Sequence, residues 1–176
     1  MLDLKAQTKD EALKELVEML EAAGKLNSQS QFLADIWKRE EIGNTGFDDG
    51  IAIPHAKSDA VAKPAVAVGI SRSGIDYGAE DGELSDVFFM LASPDGDDHH
   101  HIEVLAQIST KIIEDGFVEK LKQAQSREEA LEMLTDIQTQ SNEFLPTSLE
   151  FTSEPLSLGR KNLAALKSTC CLAHPT

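Results

Sequence analysis

Apolar residues recur at helical spacing through residues 8–23, where Leu13, Leu16, Val17 and Leu20 fall on one face. Thr8 and Glu11 form a capping box, which satisfies two otherwise orphaned backbone donors at a helix start, and Gly24 marks the stop. Ser28 with Gln31 opens a second helix that carries Phe32 and Ile36 and ends near Gly43. Ser126 with Glu129 opens a late one through Leu131, Leu134 and Ile137. A further helix is expected over residues 102–114, with Ile102, Leu105, Ile108, Ile112 and Ile113 facing the core. Three short apolar runs read as strands, at residues 51–53, 65–71 and 87–92. The last two are apolar nearly throughout, as expected of strands covered on both faces. This order of elements predicts an α/β fold, with a mixed β-sheet flanked by helices on both faces.

The 176 residues carry 31 acidic and 16 basic side chains, a formal net charge of −15. A phosphate backbone needs Lys and Arg counter-charge, so nucleic acid is not an expected partner. Only three basic and three acidic residues fall in residues 143–176, so residues 1–142 hold the whole imbalance. Composition shifts there to Ser, Thr, Leu and Pro without clear periodicity. Residues 1–142 are therefore read as the folded domain, and 143–176 as a flexible or weakly ordered tail. No apolar run approaches the ~18 residues of a membrane span, and the N-terminus lacks the blocks of a signal peptide. A cytoplasmic protein without membrane insertion is expected. Adjacent Cys170 and Cys171 give neither a disulfide framework nor a zinc spacing, which fits a reducing compartment.

The densest chemistry lies in residues 39–57, REEIGNTGFDDGIAIPHAK. Pro54 fixes its own φ and pushes Ile53 toward an extended conformation. The strand is therefore expected to end there, with His55 presented at its tip. Gly46 and Gly50 permit tight turns and the close approach of another chain or an anion. A histidine so placed suits a nucleophile, against the plainer reading of a structural or exposed residue. A second feature is DGDDHHHIEVLAQIS, residues 95–109. His101 falls just before the amphipathic helix, where free N–H groups and the helix dipole favour anions. Asp97 or Asp98 is the expected N-cap. Three adjacent histidines cannot all face one ion, so no functional metal site is expected, and His99 and His100 read as solvated loop residues.

At these residues the chain resembles a known family. Gly50-Ile51-Ala52-Ile53-Pro54-His55 is similar to the active-site motif of the fructose/mannitol-type EIIA domains of the phosphoenolpyruvate-dependent sugar phosphotransferase system. Arg39-Glu40, Thr45-Gly46 and the run through His101, Ile102, Leu105 and Ala106 fall in matching order and spacing, over roughly residues 12–137. The tail has no counterpart in the resemblance.

The resemblance implies a phosphoryl carrier with no cofactor. His55 would accept a phosphoryl group on Nε2 from the phosphocarrier protein HPr. It would pass the group to a cysteine of an EIIB domain, with the membrane EIIC served indirectly. His101 maps to a second histidine that helps hold the phosphoryl group, and Arg39 to an active-site arginine. Asp49 stands where mannitol-type members carry an acidic residue. Each role has a plainer rival: helix capping for His101, a salt bridge to Glu40 or Glu41 for Arg39, a turn aspartate for Asp49. An exposed apolar patch near His55 is expected for docking, with Phe47 a candidate member; Phe88, Phe89 and Met90 read as core, and Trp37 fits either place. The family also contains nitrogen-regulatory proteins, so transport of fructose-type sugars and signalling through phosphorylated His55 both follow from the resemblance. A third reading, from outside the family, is a metal or interaction protein using residues 99–101.

Overall fold

The computed structural model describes residues 3–141 and 170–172. Its layers follow from the central strand β5 (Ser85–Pro94), which is buried along almost its whole length. Strand pleating sends alternate side chains to opposite faces. Phe88, Met90 and Ala92 join the core formed with α1 (Lys9–Ala22) and α2 (Gln29–Ile42). Val87 and Phe89 join the opposite core, with residues of α3 (Asp98–Ile113), α4 (Phe117–Gln123) and α5 (Arg127–Ser141). The expected α/β architecture, a mixed sheet between two helical layers, is what the chain adopts. Among the described residues, no helix is long and apolar enough to cross a membrane.

Four more strands lie in the domain: β1 (Gly46–Phe47), β2 (Ile51–Ala52), β3 (His55–Ser58) and β4 (Ala65–Ile75). β1 pairs antiparallel with β2, both β2 and β3 run parallel to β5, and β4 is antiparallel to β5. A short β6 (Cys170–Leu172) lies parallel to β4. Apart from β6, the tail expected over residues 143–176 lies outside the described residues, as does the side chain of Ile137.

One helix start holds fully as read, and two hold in half. Thr8 and Glu11 complete their box, and Leu13, Leu16, Val17 and Leu20 are all fully buried. At α2, Ser28 accepts from the Gln31 backbone, but the Gln31 amide turns to Asp35 one turn on, so only half the box forms. At α5, the Glu129 backbone donates to Ser126 Oγ, and the Glu129 carboxylate accepts from Gln125.

Two expectations need correction. Pro54 does not end its strand. Ile51 sits opposite Val87 and His55 opposite Leu91, the same offset, so β2 and β3 are one line of chain along β5. Proline removes a donor but keeps its acceptor, and the Pro54 carbonyl accepts from the Leu91 N–H at 2.9 Å. His55 thus opens a second run of strand instead of standing at a tip.

The phase of α3 also differs. The helix begins at Asp98, so His99 and His100 lie in its first turn and not in a loop, and Asp97 caps it without a side-chain bond. The face turned inward carries His101, Val104, Leu105, Ile108, Lys111 and Ile112, at i, i+3, i+4 and i+7 spacing. Ile102 and Ile113 are off that stripe by one residue and are 66% and 80% exposed. His101 occupies the core position that Ile102 was expected to fill.

This phase is testable by urea unfolding. Phe89→Ala should cost about 3–5 kcal/mol, and Ile102→Ala less than about 0.5 kcal/mol. Comparable losses for both would show that α3 is rotated from the stated face.

Candidate active site

Residues from three elements meet at His55. The imidazole, half-buried at the start of β3, sits between two hydrogen-bonding groups of opposite character. Nδ1 lies 2.7 Å from the carbonyl oxygen of Ile53, two residues upstream. Arg39, in the last turn of α2, donates from Nε to His55 Nε2 at 3.0 Å. A carbonyl only accepts and a guanidinium only donates, so the pair selects one tautomer. Nδ1 carries the proton and Nε2 offers its lone pair. Arg39 is itself tethered by a second bond, from Nη1 to the Gly43 carbonyl at 2.9 Å. No ion pair of Arg39 with Glu40 or Glu41 is present among the described residues.

His101 approaches from α3, its ring centroid 5.7 Å from that of His55 and tilted by 52°. It is buried, and its Nδ1 lies 2.8 Å from Oγ of Ser93 on β5. Ser93 in turn sits opposite Lys57, two residues beyond His55. Lys57 pairs with Asp98, the first residue of α3, which ties the strand to the helix start beside the two rings. The Lys57 charge also bears on His101, so a cation flanks the histidine pair.

Burial is the main cause that lowers the pKa of His55 below its ordinary 6.5, and the Arg39 charge adds to it, against the opposing pull of the Ile53 carbonyl. His101 is also lowered, first by burial and then by the charges of His55 and Lys57. Both rings are therefore held neutral near pH 7. For His55 that leaves Nε2 a free base, as a nucleophile requires.

Asp49 stands apart. It lies exposed in the turn between β1 and β2 with φ of 62°, and its backbone N–H donates to Asp81. It makes no hydrogen bond to His55; the group that orients the ring is the Ile53 carbonyl. The next residue, Gly50, has φ of 76°, and a Cβ there would lie 2.7 Å from Asp86 Oδ1, so the turn demands glycine. Phe47 is exposed as expected, and Ile42, next to the Gly43 that holds Arg39, and Ile102, next to His101, are exposed with it. Phe88, Phe89 and Met90 are core, and Trp37 packs against the core, partly buried.

Two participants carried no readable signal, and a third, Glu40, stands out only within the resemblance. A backbone acceptor such as the Ile53 carbonyl has no signature in a sequence. Ser93 is one serine among many, identified only by its register opposite Lys57. Glu40 is adjacent to the exposed Glu41 and looks the same, yet it is buried and accepts from Lys9, Thr45 and Tyr77.

The lowered pKa values have a signed consequence. Folding disfavours protonation of both histidines, so the unfolded chain binds more protons between the folded pKa values and about 6.5. The stability they contribute is complete above that window and is lost as pH falls through it. Proton titration by NMR should place both midpoints below 6.5. Replacing both histidines by alanine should flatten the loss of stability on acidification below about pH 6.5. A midpoint above 6.5 for His55 would contradict this electrostatic assignment.

Comparison with known proteins agrees with this geometry. A family model described as the phosphoenolpyruvate-dependent sugar phosphotransferase system, EIIA 2, matches residues 1–137. The fructose-specific EIIABC component of Bacillus subtilis is 35% identical over 133 residues, 76% of this chain but 21% of that protein. The fructose-specific EIIA component of Haloferax volcanii is 33% identical over 130 residues, 74% of this chain and 84% of that protein. Among solved structures, nitrogen regulatory protein IIA-Ntr from Neisseria meningitidis superposes with a TM-score of 0.70 at 27% identity, covering 75% of this chain and 90% of that one. With one family model spanning the described domain, the chain belongs to the EIIA 2 family of the phosphoenolpyruvate-dependent sugar phosphotransferase system.

Proposed function

We propose that the protein is a phosphoryl carrier. His55 accepts the phosphoryl group from phosphorylated HPr and passes it to a cysteine of EIIB, for uptake of a fructose-type sugar through a membrane EIIC. The observation that carries this reading is the selection of the Nδ1–H tautomer, which leaves Nε2 of a neutral imidazole as the nucleophile. The fructose-specific names of the Bacillus and Haloferax relatives favour sugar transport, and the first of these names joins A, B and C components. The solved IIA-Ntr relative keeps the nitrogen-regulatory role as the second reading, with the same histidine. The work is that of a cytoplasmic protein.

The chemistry follows from the tautomer. The Nε2 lone pair attacks phosphorus while the bond from phosphorus to the donor breaks, so no proton has to leave the nucleophile first. The proton stays on Nδ1, hydrogen-bonded to the Ile53 carbonyl, whose dipole stabilises the positive charge the ring acquires. That charge makes the imidazole a good leaving group in the onward step, when the thiolate of the acceptor attacks. The protein's main task is then to position atoms in line and to stabilise charge on the phosphoryl oxygens.

Arg39 has to release Nε2 before phosphorus can approach. Once released it stands within reach of the phosphoryl oxygens, as a planar two-pronged donor. His101 supplies a second donor from the other side, oriented by Ser93. Both residues act on charge that arrives with the group and is absent from the resting site. Asp49, exposed and remote in its bonding from the ring, is assigned contact with a docking protein.

Intact mass after incubation with phosphoenolpyruvate, enzyme I and HPr tests the reading. One acid-labile phosphoryl group should appear and be absent in His55→Ala. His101→Ala should take it up about 10–100-fold more slowly. No gain in the wild type, with carriers active on a control protein, would overturn the proposal.

A further inference from the structure

The mechanism above leaves one buried charge unused. The Glu40 side chain is 3% exposed, in the last turn of α2 beside Arg39. Each of its oxygens accepts two donors. Oε2 takes Lys9 Nζ at 2.8 Å and the Thr45 backbone N–H at 3.3 Å. Oε1 takes the Thr45 hydroxyl and the Tyr77 hydroxyl, the latter at 2.9 Å. Burial opposes ionisation of Glu40, but the bonds from Lys9, Thr45 and Tyr77 outweigh it and hold the carboxyl below its ordinary pKa. Burial, with the Glu40 charge, pushes the Tyr77 hydroxyl up, so it stays a donor. Lys9 also lies over the Tyr77 ring, 4.1 Å from its centroid.

A buried ion pair is a poor source of net stability, because desolvation cancels most of the Coulomb gain. The connections of Thr45 suggest what this one does instead. Its N–H and hydroxyl are both committed to Glu40, and its carbonyl accepts from the Ile53 N–H at 2.9 Å. The carbonyl of Ile53 is the group that accepts the hydrogen bond from His55 Nδ1–H. That carbonyl belongs to the peptide bond to Pro54, which has no N–H to anchor its other side. The nearest backbone anchor on that side is the preceding peptide, whose Ile53 N–H is held by the Thr45 carbonyl. Arg39, which holds the opposite ring nitrogen, leaves the helix one residue before Glu40.

We propose that Glu40 is a positioning residue for His55: through Thr45 and the backbone of Ile53 it fixes the carbonyl that selects Nε2 as the nucleophilic nitrogen. This rests on His55 as the phosphoryl acceptor. Glu40 touches neither the phosphoryl group nor the ring. Its effect is on which nitrogen bears the proton, a property that a merely structural carboxylate would not control.

The test is two-bond proton–nitrogen NMR on the unphosphorylated full chain with labelled histidine, alongside the rate of phosphoryl uptake from phospho-HPr. The wild type should show His55 protonated on Nδ1 and bare on Nε2. Glu40→Gln keeps one acceptor oxygen for Thr45, puts an amide NH2 that only donates in place of the other, and loses the charge. Glu40→Met removes every acceptor at similar volume. We expect a graded appearance of the Nε2–H tautomer, smaller in Gln and larger in Met, and uptake slowed about ten-fold in Met, chiefly in kcat. A folded Glu40→Met protein with the wild-type ring pattern overturns the proposal, and so does slowed uptake with an unchanged ring. Should the Met variant not fold, a Glu40→Gln protein with the wild-type pattern and uptake within about two-fold overturns it. The ring spectrum needs no phosphoryl transfer, so failure of the carrier reading would show separately, as a wild type that takes up nothing.

Discussion

The hydrogen bond from His55 Nδ1 to the carbonyl of Ile53 is the constraint on which the site depends. It decides which nitrogen keeps its proton and so which can attack. Without it, Arg39 would still donate to Nε2 and favour the same tautomer, but Nδ1–H would lose its acceptor and the ring its second anchor. The bond is short in sequence, two residues, and needs the backbone between them to be extended and stiff. Pro54 supplies both conditions, and the parallel register along β5 carries the chain through the proline without a change of offset. His55 thus stands half-buried at the start of β3, with Nε2 turned to Arg39 in the last turn of α2.

The two helical layers contribute from opposite sides of that strand. α2 brings Arg39 to one nitrogen, and α3 brings His101 beside the ring. Because α3 seats His101 in its inward stripe, the second histidine is held by packing as well as by Ser93. The same rotation leaves Ile102 outside, next to the site. Burial is the first cause that lowers both histidine pKa values, and it favours the neutral ring in each. The hydrogen bond from Arg39 occupies the Nε2 lone pair in the resting ring.

Much of this was legible in the sequence. The three capped helix starts, the doubly buried strands and the pairing of a Pro-His strand with a His-led helix gave the fold class and the two histidines. The failures have physical reasons. Proline at the end of an apolar run reads as a terminator, yet its carbonyl still serves a parallel neighbour. Ile102 outweighs His101 on any hydropathy pattern, so the inward face is expected to take in Ile102 and Ile113 with Leu105, Ile108 and Ile112, and only the last three lie on it. Arg39 beside two glutamates looks like a surface ion pair until the chain folds and sends Glu40 inward and Arg39 across to β3. Asp49 is implied by the resemblance alone, and the left-handed turn it occupies leaves its side chain exposed.

The most direct measurement of the central claim is phosphorus–nitrogen coupling in the phosphorylated protein with its histidines labelled. We expect the coupling at Nε2 of His55, with Nδ1 still bonded to the Ile53 carbonyl. Attachment at Nδ1, or at any ring other than His55, would mean that the tautomer seen at rest does not set the course of the reaction.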